Sequence, residues 1–240
     1  MLNDSTRFRR VSSGVLLIVA PLLQAAAVVV DPGTWGDDRE AVSFGDNPAL
    51  AQLQSVLYHW SWILTAIAAF GLMHLTRRRA VVFGNIAGTM TVVGYISMSA
   101  LLLTDPVSWW FGARYPAEEA ERLTNEVLDL PGVTFGFTIP WLWLGFIGLP
   151  LLTVAVWRAG AVHWWVPTVV IAGLGGSMLV PYGPLTIPFW VAPAVALGAV
   201  GVRILRMTAE EWAAGYPVAL RDPATPVDPV AEPGRTTPAS

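Results

Sequence analysis

VSSGVLLIVAPLLQAAAVVV, residues Val11 to Val30, runs for twenty residues without a charged side chain. That is the length an α-helix needs to cross roughly 30 Å of hydrocarbon at about 1.5 Å per residue. Arg7, Arg9 and Arg10 precede it, as in the basic n-region of a secretory signal peptide. The stretch is long for the apolar region of such a peptide, and five comparable stretches follow, so it reads as an uncleaved first membrane helix.

Outward from this segment, apolar stretches recur at about 51–75, 81–104, 134–157, 163–180 and 185–205. Together with 11–30 they predict an all-α fold, a polytopic transmembrane bundle of about six helices over 11–206. The same reading gives a cytoplasmic N-terminus at 1–10, outer loops at 31–50 and 105–133, and a disordered cytoplasmic tail at 207–240. Composition points the same way: 54% of residues are hydrophobic and 13% charged, against about a quarter charged in soluble domains.

Arginine placement sets the expected orientation, because cytoplasmic loops retain positive residues during insertion. Arg7, Arg9, Arg10, Arg77, Arg78, Arg79, Arg158, Arg203 and Arg206 fall at alternate ends of the stretches. The intervening loops are acidic, with Asp31, Asp37, Asp38, Glu40 and Asp46 in one, and six acids against Arg114 and Arg122 in the other. Both termini are therefore expected inside, in a multi-pass protein of the plasma membrane. All fourteen basic residues are arginine, a bias that fits a GC-rich bacterial genome. The twelve tryptophans fall near the ends of the stretches and read as interfacial anchors.

Several classes of function are excluded or disfavoured. Without cysteine the chain has no disulfide, thiolate metal site or thiol nucleophile. No long basic run suggests nucleic acid, and the net charge is -3. Histidine and carboxylate spacings of metal sites are absent, and His74 and His163, although at similar depth, flank arginine turns rather than facing each other as haem ligands. No cofactor or metal is called for. An offset of 81 pairs Trp60 with Trp141, Trp62 with Trp143, and Arg77 with Arg158, which would relate helices two–three to helices four–five as a repeat.

Polar residues inside a bilayer mark either helix packing or a site. Gln52, Ser55 and His59 recur on one face of the second stretch near its outer end. Gln24, Tyr95, Ser99, Thr138, Ser177 and Tyr182 lie at similar depth by residue counting, so these positions are expected to line an outward-facing pocket. His59 can change charge near neutral pH. It lies beneath loops carrying Asp105 and Glu126, so these three form the candidate acid/base set. In GNIAG, Gly84 and Gly88 are spaced for close helix approach. Residues Pro116 to Leu130 place Ala120, Leu123, Val127 and Leu130 on one face of an amphipathic outer helix. The prolines at 181, 184, 188 and 193 are expected to break the last stretch.

The sequence favours a binding or accessory protein whose partners are membrane lipids, a lipophilic small molecule or another membrane protein. An alternative is a cofactor-independent membrane enzyme of isoprenoid cyclase or isomerase type. A small transporter ranks third, because no charged residue lies mid-helix to serve as a relay.

Overall fold

In the computed structural model, which describes residues 5–36 and 40–214, the described residues form helices and no strand. The elements are α1 (Ser5–Val30), α2 (Pro32–Trp35), α3 (Glu40–Asp46), α4 (Pro48–Thr76), α5 (Val81–Leu101), α6 (Asp105–Gly112) and α7 (Ala117–Leu128). They continue with α8 (Pro131–Val133), α9 (Phe146–Arg158), α10 (Trp165–Leu179), α11 (Ile187–Arg206) and α12 (Ala209–Ala214). Among the described residues, five helical segments are long and apolar enough to span a membrane: Ser5–Val30, Pro48–Thr76, Val81–Gly112, Pro131–Arg158 and Pro184–Arg206. The expected fifth stretch forms the shorter α10, whose 15 residues cover about 22 Å at the α-helical rise.

Neighbour contacts close the long helices into a ring in the order α1, α4, α5, α9, α10, α11 and back to α1, with α4 also touching α9. The small residues expected to pack do so. A Cβ on Gly84 would lie 2.0 Å from Thr76 Oγ1, and one on Gly88 2.3 Å from Met73 Cγ, so α5 can seat this closely on α4 only where it lacks side chains. The core combines Leu17, Leu72, Leu152, Val170 and Ile204 from five of the six ring helices.

One end of the bundle gathers the arginines. Arg10 donates a hydrogen bond to the Met207 carbonyl. The His74 ring stacks on Trp212 at 4.1 Å, with its Nε2 2.9 Å from the Trp212 carbonyl oxygen. Gly160, in the α9–α10 turn, lies beside Arg79 of the α4–α5 turn. The expected tail thus begins with a short helix docked by its buried Trp212; residues 215–240 lie outside the described residues. The opposite, acidic end brings together Asp31, Asp105 and Tyr182.

The break in helical regularity falls in the fourth stretch rather than the sixth. Two wide π-turns, Thr134–Thr138 and Trp141–Gly145, flank Pro140, which has no N–H to donate and whose ring crowds the carbonyl four residues earlier. The sixth stretch opens with a 3-10 turn at Pro184–Thr186 and then continues unbroken as α11, with Pro188 in the first turn, where the missing N–H has no intrahelical acceptor to lose. The amphipathic α7 forms as expected and packs on α3 and α6, burying Ala120 and Thr124, while Leu130 is exposed.

Candidate functional site

At the acidic end, α4 organises a cavity of about 250 Å³. Gln54, Tyr58 and Trp62 line it, and their spacing of four residues puts them on one helical face. Each holds part of the wall. Gln54 Nε2 donates to Asp105 Oδ2 at 3.1 Å, and the neighbouring Ser55 Oγ donates to the same oxygen at 2.6 Å. One turn further along, the Tyr58 hydroxyl donates to Asp31 Oδ2 at 3.4 Å. Tyr182, from the α10–α11 turn, donates to that oxygen at 2.5 Å. The two carboxylates are therefore docked on consecutive turns of α4, and both line the cavity.

Their positions follow from local sequence. Asp31 caps α2 by accepting the Gly33 N–H at 2.9 Å, with Pro32 in the first turn, a favourable cap for the orphan amides there. Asp105 opens α6, with Pro106 next. Both carboxylates sit in the same local pattern, Asp-Pro-Gly-Thr-Trp at 31–35 and Asp-Pro-Val-Ser-Trp at 105–109. In each, the hydroxyl residue is buried and its side chain donates to an earlier carbonyl, Thr34 to Val28 and Ser108 to Thr104. This shared pattern is the sequence signal that marks the two carboxylates as a pair.

Burial raises the pKa of Asp31 above the ordinary carboxylate value, against hydrogen bonds from Tyr182, Gly33 and Tyr58 that favour its ionised form. Burial and the adjacent Asp31 likewise push the Tyr182 hydroxyl upward. Three buried polar atoms on the surrounding side chains have no hydrogen-bond partner among the described residues: Gln54 Oε1, Trp62 Nε1 and Gln24 Nε2. The Gln24 carbonyl oxygen accepts from Ser61 at 3.0 Å.

The remaining walls are aromatic and thioether or aliphatic. Tyr58 stacks on Trp62 at 4.9 Å, Trp62 meets Trp141 at 5.9 Å, and Trp141 meets Phe146 at 4.8 Å. Trp190 reaches Phe146 at 6.3 Å. Phe44 arrives from α3, which is held close to α6 where a Cβ on Gly112 would sit 1.7 Å from the Ala41 carbonyl oxygen. Phe146 also lines a second space, an apolar groove of about 530 Å³ between α9 and α10.

Of the residues expected in the pocket or in the acid/base set, the structure gathers Gln24, Tyr182 and, from the acid/base set, Asp105 on the cavity wall, with Ser55 immediately behind as an Asp105 donor. Others stand elsewhere. His59 is exposed, and its Nδ1 lies 2.8 Å from Ser99 Oγ, not beside a carboxylate. Gln52 is exposed on that same outer side of α4, because residues seven apart share a helical face. Glu126 pairs with Arg122 on the surface of α7, away from the cavity. Ser177 Oγ donates back to the Leu174 carbonyl of its own helix. Tyr95 is buried edge-on against Trp141 at 5.0 Å and faces a smaller space. Thr138 lies in the first π-turn, off the cavity wall.

Asp31, Gln54, Tyr58, Trp62 and Trp141 were not expected here. The tryptophans were read as interfacial anchors, but Trp62 is 3% and Trp141 5% exposed, whereas Trp60 and Trp143 are 52% and 63% exposed. Residues two apart point about 200° apart on a helix, so Trp60 and Trp62 cannot both face the interface. The offset of 81 accordingly pairs an exposed tryptophan with a buried one twice, and its repeat does not carry over to side-chain environment.

Comparisons with protein-family models, curated proteins and solved structures give no match to this chain. Among the described residues, no group of three His, Asp or Glu side chains is placed to hold a metal ion.

Proposed function

We propose that this multi-pass membrane protein binds a lipophilic small molecule through the cavity at its acidic end, with that end outside the cell and the arginine-rich end in the cytoplasm. The observation that carries the reading is the cavity itself. Seven aromatic side chains line a space shared with two carboxylates and unpartnered polar atoms, the combination of apolar surface and a few placed polar groups found in small-molecule sites. Polar residues at such depth are costly unless they pack or serve a site. Here Ser55, Gln54, Tyr58 and Tyr182 all spend donors on holding two carboxylates at one opening.

A binding role has more support than acid/base catalysis by His59. That histidine has a serine as its partner and stands outside the cavity, so it lacks the oriented carboxylate that the enzyme reading requires. A transport role draws no specific support from the geometry.

Purification from native membranes, followed by mass spectrometry of extracted small molecules, tests the proposal. A specific lipophilic compound should copurify with the wild type and be depleted in a folded Trp141→Ala variant. Bulk phospholipid alone, equal in both, would sink the binding role.

A further inference from the structure

We infer that the cavity receives the primary ammonium head of a free single-chain amphiphile whose apolar tail leaves past Phe146 into the groove between α9 and α10. The inference rests on the binding role proposed above and names the ligand class.

The head is selected by acceptors and charge. Asp31 and Asp105 line the cavity, each hydrogen-bonded to one of two adjacent turns of α4. Gln54, which donates to Asp105 and is 1% exposed on the cavity wall, has a carbonyl oxygen without a partner. A primary ammonium carries three N–H donors, one for each acceptor. Among the described residues that line the cavity there is no arginine or histidine, so an ammonium is the complementary charge and an anionic head meets two carboxylates. Tyr58, Trp62, Trp141 and Trp190 line the same space, and a cation is attracted to aromatic ring faces within about 6 Å.

The tail is placed by adjacency. Phe146 belongs to both spaces, and the groove beyond it is formed by Leu142, Trp143, Ile147, Ile171, Gly175 and Met178 together with Pro150, Leu151 and Leu174. From Leu142 to Leu151 this strip extends about 14 Å at the helical rise. It admits one alkyl chain alongside α9. The phosphodiester of an aminophospholipid would sit beside the two carboxylates, which favours a free long-chain amine as the source.

The test uses the full chain in phosphatidylcholine nanodiscs, with tryptophan quenching by 12-bromododecylamine as the readout. The amine is expected to bind about tenfold or more tightly than 12-bromododecanol, a tenfold ratio corresponding to one charge-assisted contact. Asp31→Asn and Asp105→Asn should each reduce that preference. Gly175 lines the groove and a Cβ there meets nothing within 4 Å, so Gly175→Phe places a ring in the groove. It should weaken the long amine and spare butylamine.

Equal binding of alcohol and amine overturns the ammonium head yet leaves the lipophilic site standing. Tighter binding of the matching bromododecanoate overturns it also. Failure of every probe removes both the inference and the binding role beneath it. An unchanged long-amine affinity in Gly175→Phe removes the groove, and displacement of the probe by phosphatidylethanolamine in the nanodisc overturns the free-amine source.

Discussion

Replacing Ser55 with alanine isolates the contact that fixes Asp105 to α4. The Ser55 hydroxyl lies 2.6 Å from Asp105 Oδ2 and 2.9 Å from the Ala51 carbonyl oxygen, and its single proton can serve one of them. The shorter contact is to the carboxylate, and a hydrogen bond to it is charge-assisted. Neutral hydrogen bonds between membrane helices average about 0.6 kcal/mol in double-mutant cycles, and an ionised partner roughly doubles a bond's strength. Ser55→Ala should therefore cost about 1–2 kcal/mol. In an Asp105→Asn background the partner is neutral and of the same shape, so the cost should fall to about 0.6 kcal/mol, leaving a coupling near 1 kcal/mol. Reversible unfolding in mixed micelles, followed by tryptophan fluorescence, measures all four corners of the cycle. A loss that is the same in both backgrounds would refute the reasoning, because it would assign the Ser55 proton to Ala51.

Four further outcomes follow from the geometry. Gly112→Val should destabilise the protein by about 1–3 kcal/mol, as overpacking does, and weaken ligand binding, since the new side chain must displace α3 and Phe44 with it; unchanged stability in the same unfolding assay would contradict that contact. Asp31 has its pKa raised by burial, so the folded chain binds that proton more tightly than the unfolded one. Its contribution to stability is present below the ordinary carboxylate value and is lost as pH rises through the folded value. Wild-type stability minus that of Asp31→Asn should consequently decline with rising pH over this range, and a difference that grew instead would show that the hydrogen bonds outweigh burial. His59→Ala and Glu126→Gln should leave ligand affinity unaltered, since both side chains stand off the cavity; a marked loss in either would move the site. Single cysteines introduced into this cysteine-free chain at Arg78 and Glu118 should react with an impermeant reagent only at position 118, and labelling at 78 in intact cells would invert the orientation.

The local residues determined much of this protein. Uncharged stretches of about twenty residues can be buried only by a membrane or a large core, so the helical class and the positions of the long helices are written in the chain itself. Glycine spacing announced the close approach of α5 to α4, and charge periodicity announced α7. Gln24, Asp105, Tyr182 and Ser55 were also legible near the site, because polar residues stand out against an apolar background.

What only the tertiary structure decided was rotation and partnership. A helix that is apolar on nearly every side, such as α4, carries little amphipathic signal to say which face turns inward. The outer-end polar set was therefore assigned to the face of Gln52 and His59, whereas packing turned Gln54, Tyr58 and Trp62 inward. Tryptophan composition alone could not separate an anchor from a buried wall, since both lie near a helix end. The pairing of Asp31 with Asp105 joins residues 74 positions apart through hydrogen bonds to one helix. Local propensity holds no record of such a meeting, which exists only once α1, α4, α5 and the α10–α11 turn share the same end of the bundle.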